Sequence, residues 1–154
     1  EGDTVYCMTG YKGYSLMAIP LNAKGDITGS DKILWTKRRG TPYVPSPILY
    51  DGLLYFTQSN QALLSCVNAE SGKTYIDRTR LKGLTNIYAS PVGADGRIYL
   101  NDRSGVTLVL KRSRELKVIA KNELGEQIVS SSALAGNQLF IRGRRFLYCI
   151  SEKK

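Results

Sequence analysis

Residues 46–56 read SPILYDGLLYF, and the chain writes nearly the same eleven residues twice more. SPVGADGRIYL spans residues 90–100, and SSALAGNQLFI spans residues 131–141. Each copy is a serine, a proline or small residue, an apolar position, a turn, and a strand with an aromatic near its end. The turns are YDG (50–52), ADG (94–96) and AGN (135–137). Asp-Gly and Gly-Asn turns require positive φ, and between apolar runs they mark a hairpin. The repeated eleven residues are therefore one hairpin, written once per structural unit.

Working outward, each hairpin is followed by a polar turn and a third strand. These are ALLSCV (62–67), VTLVL (106–110) and FLYCI (146–150). A fourth strand follows at KTYIDR (73–78) and LKVIAK (116–121). The front of the chain holds the same pattern without its first strand: TVYCM (4–8), YSLMAI (14–19) and KILWTK (32–37). With the strands named A to D, the order is BCD, ABCD, ABCD, ABC. Four strands in about 40–45 residues is the spacing of a β-propeller blade. The expected fold is all-β: a single partial β-propeller of four-stranded antiparallel blades, divided at 1–40, 41–84, 85–125 and 126–154. A β-sandwich with coincidental self-similarity is the alternative. No sustained 3.6-residue period occurs, so no helix is expected. Tyr6, Tyr55, Tyr99 and Phe140 share one position of strand B, where packing between blades is expected to bury them.

Composition narrows the chemistry. The chain has 154 residues, enough for one domain, and no apolar run near the ~20 residues that cross a bilayer as a helix. It has no histidine. That removes a Ser-His-Asp triad, a Cys-His dyad and the usual zinc sets. Of three cysteines, Cys66 and Cys149 fall at matching repeat positions and are expected to be buried strand thiols. The loop NAKGDITGSD (22–31) offers oxygen ligands in Asn22, Asp26, Ser30 and Asp31. Its spacing is not that of the known twelve-residue calcium loop, and it is read as a long blade-to-blade loop. Ser130, Ser131 and Ser132 have no accompanying base and are read as strand.

The stretch VNAESGKTYI (67–76) resembles the blade signature of the pyrroloquinoline-quinone-like (quinoprotein-type) propeller repeats, roughly Asp-Ala-x-Thr-Gly-Lys-x-x-Trp. Asn68 stands for the Asp, Ala69 for the Ala and Ser71 for the Thr. Gly72 and Lys73 match directly, and Ile76 replaces the tryptophan. Trp35 keeps that place in the first unit. The resemblance implies a closed propeller, commonly of about seven or eight blades, of which this chain is a C-terminal fragment of three and a half. It implies a periplasmic or secreted setting. It implies that Trp35, Asn68, Ala69, Ser71, Gly72 and Lys73 are a structural device joining neighbouring blades, not a cofactor site. Some relatives in this group are quinone-dependent dehydrogenases and others are non-catalytic. The incomplete first and last blades would leave open sheet edges, which natural proteins avoid. Missing blades of the same protein, or a second copy, are the expected cover.

The net charge is +9. With the strand order above, A–B and C–D turns share one rim and carry seven basic and six acidic residues. B–C turns and D-to-A connections share the other and carry twelve basic and four acidic residues. Eight of the twelve are arginines: Arg38, Arg39, Arg78, Arg80, Arg103, Arg142, Arg144 and Arg145. A guanidinium fork suits carboxylate and phosphate. Two readings compete: an anion-binding rim that takes an acidic glycan or protein, and a merely solvated one. Nucleic acid is not expected, because basic residues and aromatics do not interleave in the sequence. The function expected is a non-catalytic scaffold or interaction module with no catalytic, cofactor or metal residues. The alternative is part of a quinone-dependent alcohol or sugar dehydrogenase, with pyrroloquinoline quinone and calcium as cofactors.

Overall fold

The computed structural model describes residues 2–151. Fourteen strands and no helix make up the fold over this range. They form four antiparallel sheets, each meandering in chain order. The first holds β1 (Thr4–Thr9), β2 (Ser15–Pro20) and β3 (Trp35–Lys37). The second holds β4 (Ile48–Tyr50), β5 (Leu53–Thr57), β6 (Leu63–Asn68) and β7 (Thr74–Arg80). The third holds β8 (Val92–Ala94), β9 (Arg97–Asn101), β10 (Val106–Lys111) and β11 (Val118–Glu123). The fourth holds β12 (Ala133–Ala135), β13 (Gln138–Arg142) and β14 (Leu147–Ser151). This is the order BCD, ABCD, ABCD, ABC. Four separate sheets of consecutive strands, rather than two packed sheets, exclude the sandwich. The three hairpin turns form where the sequence placed them, with Asp51 and Asp95 at φ 52° and 49°, and Gly52, Gly96 and Gly136 at φ 74°, 67° and 58°.

The sheets are held face to face, because β5, β6 and β10 are buried at nearly every position and so have two faces to cover. Between the first and second blades, Leu16, Tyr6, Met8 and Trp35 pack against Leu54, Phe56 and Val67. Between the second and third, Tyr55, Leu64, Cys66 and Ile76 meet Ile98, Leu100, Leu108 and Leu110. The third joint is more polar. Asn101 donates to Ser132 Oγ (2.6 Å) and accepts from Thr107 Oγ1 (2.9 Å).

The strand B aromatics do not share one fate. Tyr55 is fully buried, and its hydroxyl donates to the Ser113 carbonyl (2.7 Å) while accepting from the Ser113 N–H (2.9 Å). Burial raises the Tyr55 phenol pKa and pushes the facing Cys66 thiol up to about 11. Tyr6, Tyr99 and Phe140 are only half-buried. The cysteine expectation also holds in part. Cys66 is buried, whereas Cys149 and Cys7 are exposed. Cys149 pairs with Phe140 as Cys66 pairs with Tyr55, but no following blade covers that face among the described residues.

The turn between β6 and β7 docks on Trp35. Asn68 Oδ1 accepts from the Ser71 N–H and hydroxyl (both 2.7 Å), the Gly72 N–H donates to Asn68 O (2.9 Å), and Asn68 N–H donates to Lys73 O (2.8 Å). The Trp35 indole N–H donates to the Ala69 carbonyl (3.0 Å). Gly72 lies under the indole at φ 68°, where a Cβ would come within 2.7 Å of the ring. At the other end of the blades, three equivalent serines form a run. Ser46 N–H donates to Ser90 Oγ, and Ser90 N–H donates to Ser131 Oγ (both 2.9 Å). These are the first residues of the three repeated stretches.

Gly72→Ala combines a left-handed backbone penalty with crowding of Trp35, for an expected loss of roughly 2–4 kcal/mol. Gly96→Ala has a similar φ of 67° and open space, so it should lose only about 1–2 kcal/mol. Urea unfolding of both variants measures the difference. Equal losses would remove Trp35 as the constraint at Gly72.

Candidate functional site

One rim is assembled from the B–C turns (residues 10–14, 58–62, 102–105 and 143–146) and the connections between blades (38–47, 81–91 and 124–132). A repeated lock holds each connection to the following turn. Ser59, Arg103 and Arg144 N–H groups donate to the carbonyls of Thr41 (3.0 Å), Asn86 (2.8 Å) and Gln127 (2.9 Å). Isolated bridges join Pro42 to Ser59, Gln61 to Asn86 and Ile128 to Gly143. Turns and connections of the rim are thus tied to one another through their backbones.

Of the eight arginines, Arg39 and Arg78 converge on one carboxylate, Asp77, at 2.9 and 3.6 Å. They sit beside the outer strand β7, and Lys37 donates to Thr74 Oγ1 there (2.6 Å). Lys37, Arg38, Arg39 and Asp77 line a cleft between the outer parts of the first two blades, together with Phe56 and Val67. Arg142 turns back onto the Gly143 and Phe146 carbonyls of its own turn. Arg145 lies 3.6 Å from Glu126 and stacks on Phe146, 5.4 Å from the ring centre. Arg103 stacks on Tyr88 at 5.5 Å. Arg38, Arg80 and Arg144 are exposed, and their guanidinium groups make no ion pair among the described residues. The eight therefore divide into a group at Asp77, a group at Glu126 and outlying members.

The acids on this rim are used differently. Asp102 is fully buried and accepts from the Thr85 N–H (3.0 Å) and hydroxyl (3.1 Å), the Ser104 N–H (2.8 Å) and hydroxyl (2.5 Å), and the Val106 N–H (3.3 Å). Burial works to raise its pKa, but these hydrogen bonds outweigh it and hold the carboxyl below its usual value. Glu126 follows the same pattern. Burial is outweighed by the Arg145 and Phe146 N–H groups, the Tyr148 hydroxyl and the Arg145 charge. Both acids are committed to the fold.

Aromatics and cations meet at three places on this rim. Lys12 lies 5.5 Å from the Tyr11 ring, Arg103 stacks on Tyr88 and Arg145 on Phe146. Arg103 and Tyr88 are fifteen residues apart, in a turn and a connection that only the fold brings together. The other rim spends its cations on the joint: Arg112 pairs with Asp51 (2.8 Å) and Arg114 stacks on Tyr75 (4.8 Å). The loop 22–31 joins β2 to β3 within the first blade, rather than joining two blades. Asp26 accepts from the Thr28 N–H (2.9 Å), an internal turn. Among the described residues, no three His, Cys, Asp or Glu side chains converge as a metal set. No helix is long and apolar enough to cross a membrane.

No family model and no curated protein matches the chain. Solved structures do. A computationally designed protein, Ika8, is similar with a TM-score of 0.66 at 9% identity, over 97% of this chain and 44% of that one. Glutaminyl cyclase of Myxococcus xanthus gives 0.59 at 12% identity, over 95% and 60%. A europium-containing methanol dehydrogenase gives 0.57 at 14% identity, over 80% and 23%. The latter two are β-propeller proteins, and the chain has the propeller fold. It spans less than two thirds of the length of each of the three.

Asp102→Asn is expected to cost about 1–3 kcal/mol at neutral pH, because the charged acceptor of several hydrogen bonds is lost. The folded pKa of Asp102 is depressed. Its contribution is therefore present above the unfolded value near 3.8 and is lost as pH falls through the folded value. Urea unfolding at pH 7 and at about pH 3 should show the gap between wild type and variant narrowing in acid. A gap that widens in acid would show that Asp102 carries no such charge-dependent stabilisation.

Proposed function

We propose that this chain is part of a β-propeller scaffold, an interaction module without catalytic residues of its own, which receives an anionic partner on its arginine rim. The observation that carries this reading is the division of labour between acids and bases there. Asp102 and Glu126 are buried and consumed by backbone N–H groups. Arg80, Arg103 and Arg144 remain exposed at the edge of the second, third and fourth blades. Several like charges in one region raise local anion concentration even where one would be screened within about 8 Å. The partner fitted by this chemistry is an acidic glycan or an acidic protein surface.

A second partner belongs to the sheets. β1 has no strand on its inner side, where a first strand would lie, and β14 has none on its outer side, among the described residues. Val5, Phe146, Leu147 and Ile150 are exposed beside those edges. Further blades of the same protein, or a second copy, would cover them. The resemblance to quinoprotein repeats supports a periplasmic or extracellular setting.

The likeness to a methanol dehydrogenase favours one other reading, a piece of a quinone-dependent dehydrogenase. Calcium takes oxygen ligands, and among the described residues no three carboxylates converge. Titration of the protein with pyrroloquinoline quinone and calcium tests it directly, and saturable binding would favour the enzyme.

For the rim, Arg80→Ser, Arg103→Ser and Arg144→Ser combined are expected to weaken heparin binding at low salt at least tenfold. Lys24→Ser, Lys32→Ser and Lys111→Ser combined remove equal charge from the other side and should change it little. Equal losses would mean that net charge alone binds the polymer and that the rim is no site.

A further inference from the structure

The first blade carries an aromatic shelf on the same rim. Tyr11 and Tyr43 are 62% and 52% exposed, with ring centres 5.2 Å apart and planes tilted by 32°. Exposed rings are usually scattered singly, and a pair stacked on the surface is not required by packing. The backbone beneath them is built to hold them. Gly10 lies so close to the Thr41–Pro42 backbone that any Cβ would overlap the Pro42 carbonyl. Thr41 is fully buried and its hydroxyl donates to the Thr9 carbonyl (2.6 Å), while its own carbonyl accepts from Ser59. The turn bearing Tyr11 and the connection bearing Tyr43 are thereby clamped together before any ligand arrives. Lys12, at φ 53° between the two rings' turn and Gly13, places its ammonium 5.5 Å from the Tyr11 ring. A left-handed lysine costs about 1–2 kcal/mol relative to an ordinary conformation, a strain of the kind that collects at functional positions. Beside the rings runs a cleft of about 420 Å³, lined by Met8, Pro42, Val44, Pro45 and Pro47, within the range of ligand sites.

We propose that Tyr11, Tyr43 and Lys12 form a subsite for one sugar ring of an acidic glycan. The phenol rings meet the apolar C–H face of the sugar, and Lys12 meets its carboxylate or sulfate. The inference deepens the anionic-partner reading above and rests on it. A glycan is favoured over single-stranded nucleic acid by the lining. Single-strand binding uses successive aromatics along a basic groove, and no basic residue lines the cleft beside these rings. Here the two rings close on each other and offer a joined apolar surface, with two phenol hydroxyls and one cation for a polar, charged ring. The clamped backbone limits the ordering cost of binding.

The test measures heparin-oligosaccharide binding by calorimetry, for the full chain, at low salt and at 1 M salt. At 1 M the screening length is about 3 Å, so long-range charge contributes little and ring contact is exposed. Tyr11→Ala/Tyr43→Ala should lose about tenfold in affinity at both salts, whereas Tyr11→Phe/Tyr43→Phe should stay within about threefold of wild type. The phenylalanine pair also guards against misfolding of the alanine pair. If the alanine pair binds like wild type, the shelf is not a subsite, although the arginine rim stands. If wild type fails to bind heparin at low salt, the rim reading itself falls and the subsite with it. If oligo-dT binds more tightly than heparin and loses that affinity in the alanine pair, the ligand is single-stranded nucleic acid and the glycan proposal is overturned.

Discussion

Every blade of this chain has a face that it cannot bury alone, and the rest of the structure follows from that constraint. A three- or four-stranded twisted sheet of short strands is marginal in water. Here Leu54, Phe56 and Val67 of the second blade become core only because Tyr6, Met8, Leu16 and Trp35 of the first stand against them. The same residue positions recur in the next joint, with Tyr55 and Cys66 against Ile98 and Leu108. Stability is therefore a property of joints rather than of blades. Gly72 and Trp35 are one solution to the joint, since a side chain at Gly72 would occupy the space of the indole. Tyr55 and Ser113 are another, in a turn that has lost the signature residues altogether.

This explains what could be read from the sequence. Strand order was legible because turns and alternation are local: Asp51-Gly52 and Asp95-Gly96 announce hairpins wherever they occur. The four sheets and their order were recoverable from such signals. The fate of a side chain was less so, because it depends on the neighbouring blade. Tyr55 and Phe140 occupy one repeat position, yet one is sealed and the other is half open. Cys66 and Cys149 differ for the same reason.

The rim shows a second limit. Counting charges by turn treated Asp102 and Glu126 as surface charge. In the structure they are interior acceptors, and Asp77 holds two arginines by itself. The aromatic partners were missed altogether. Arg103 meets Tyr88 and Tyr11 meets Tyr43 across segments far apart in sequence, so adjacency in the chain gave no sign of them. The available signal was the position of Tyr11, a tyrosine where the equivalent turns have Asn60, Ser104 and Arg145.

The serines that open the repeated stretches also give the assembly a direction. Ser46 donates its amide to Ser90, and Ser90 donates its own to Ser131. Ser90 gives its amide forward and accepts, at its hydroxyl oxygen, the amide from behind, so the run has one direction. Polarisation along such a run adds in one sense only. The fold therefore carries, at its first-strand serines, a record of which side of a blade comes next, and that record is independent of the apolar packing that binds the blades together.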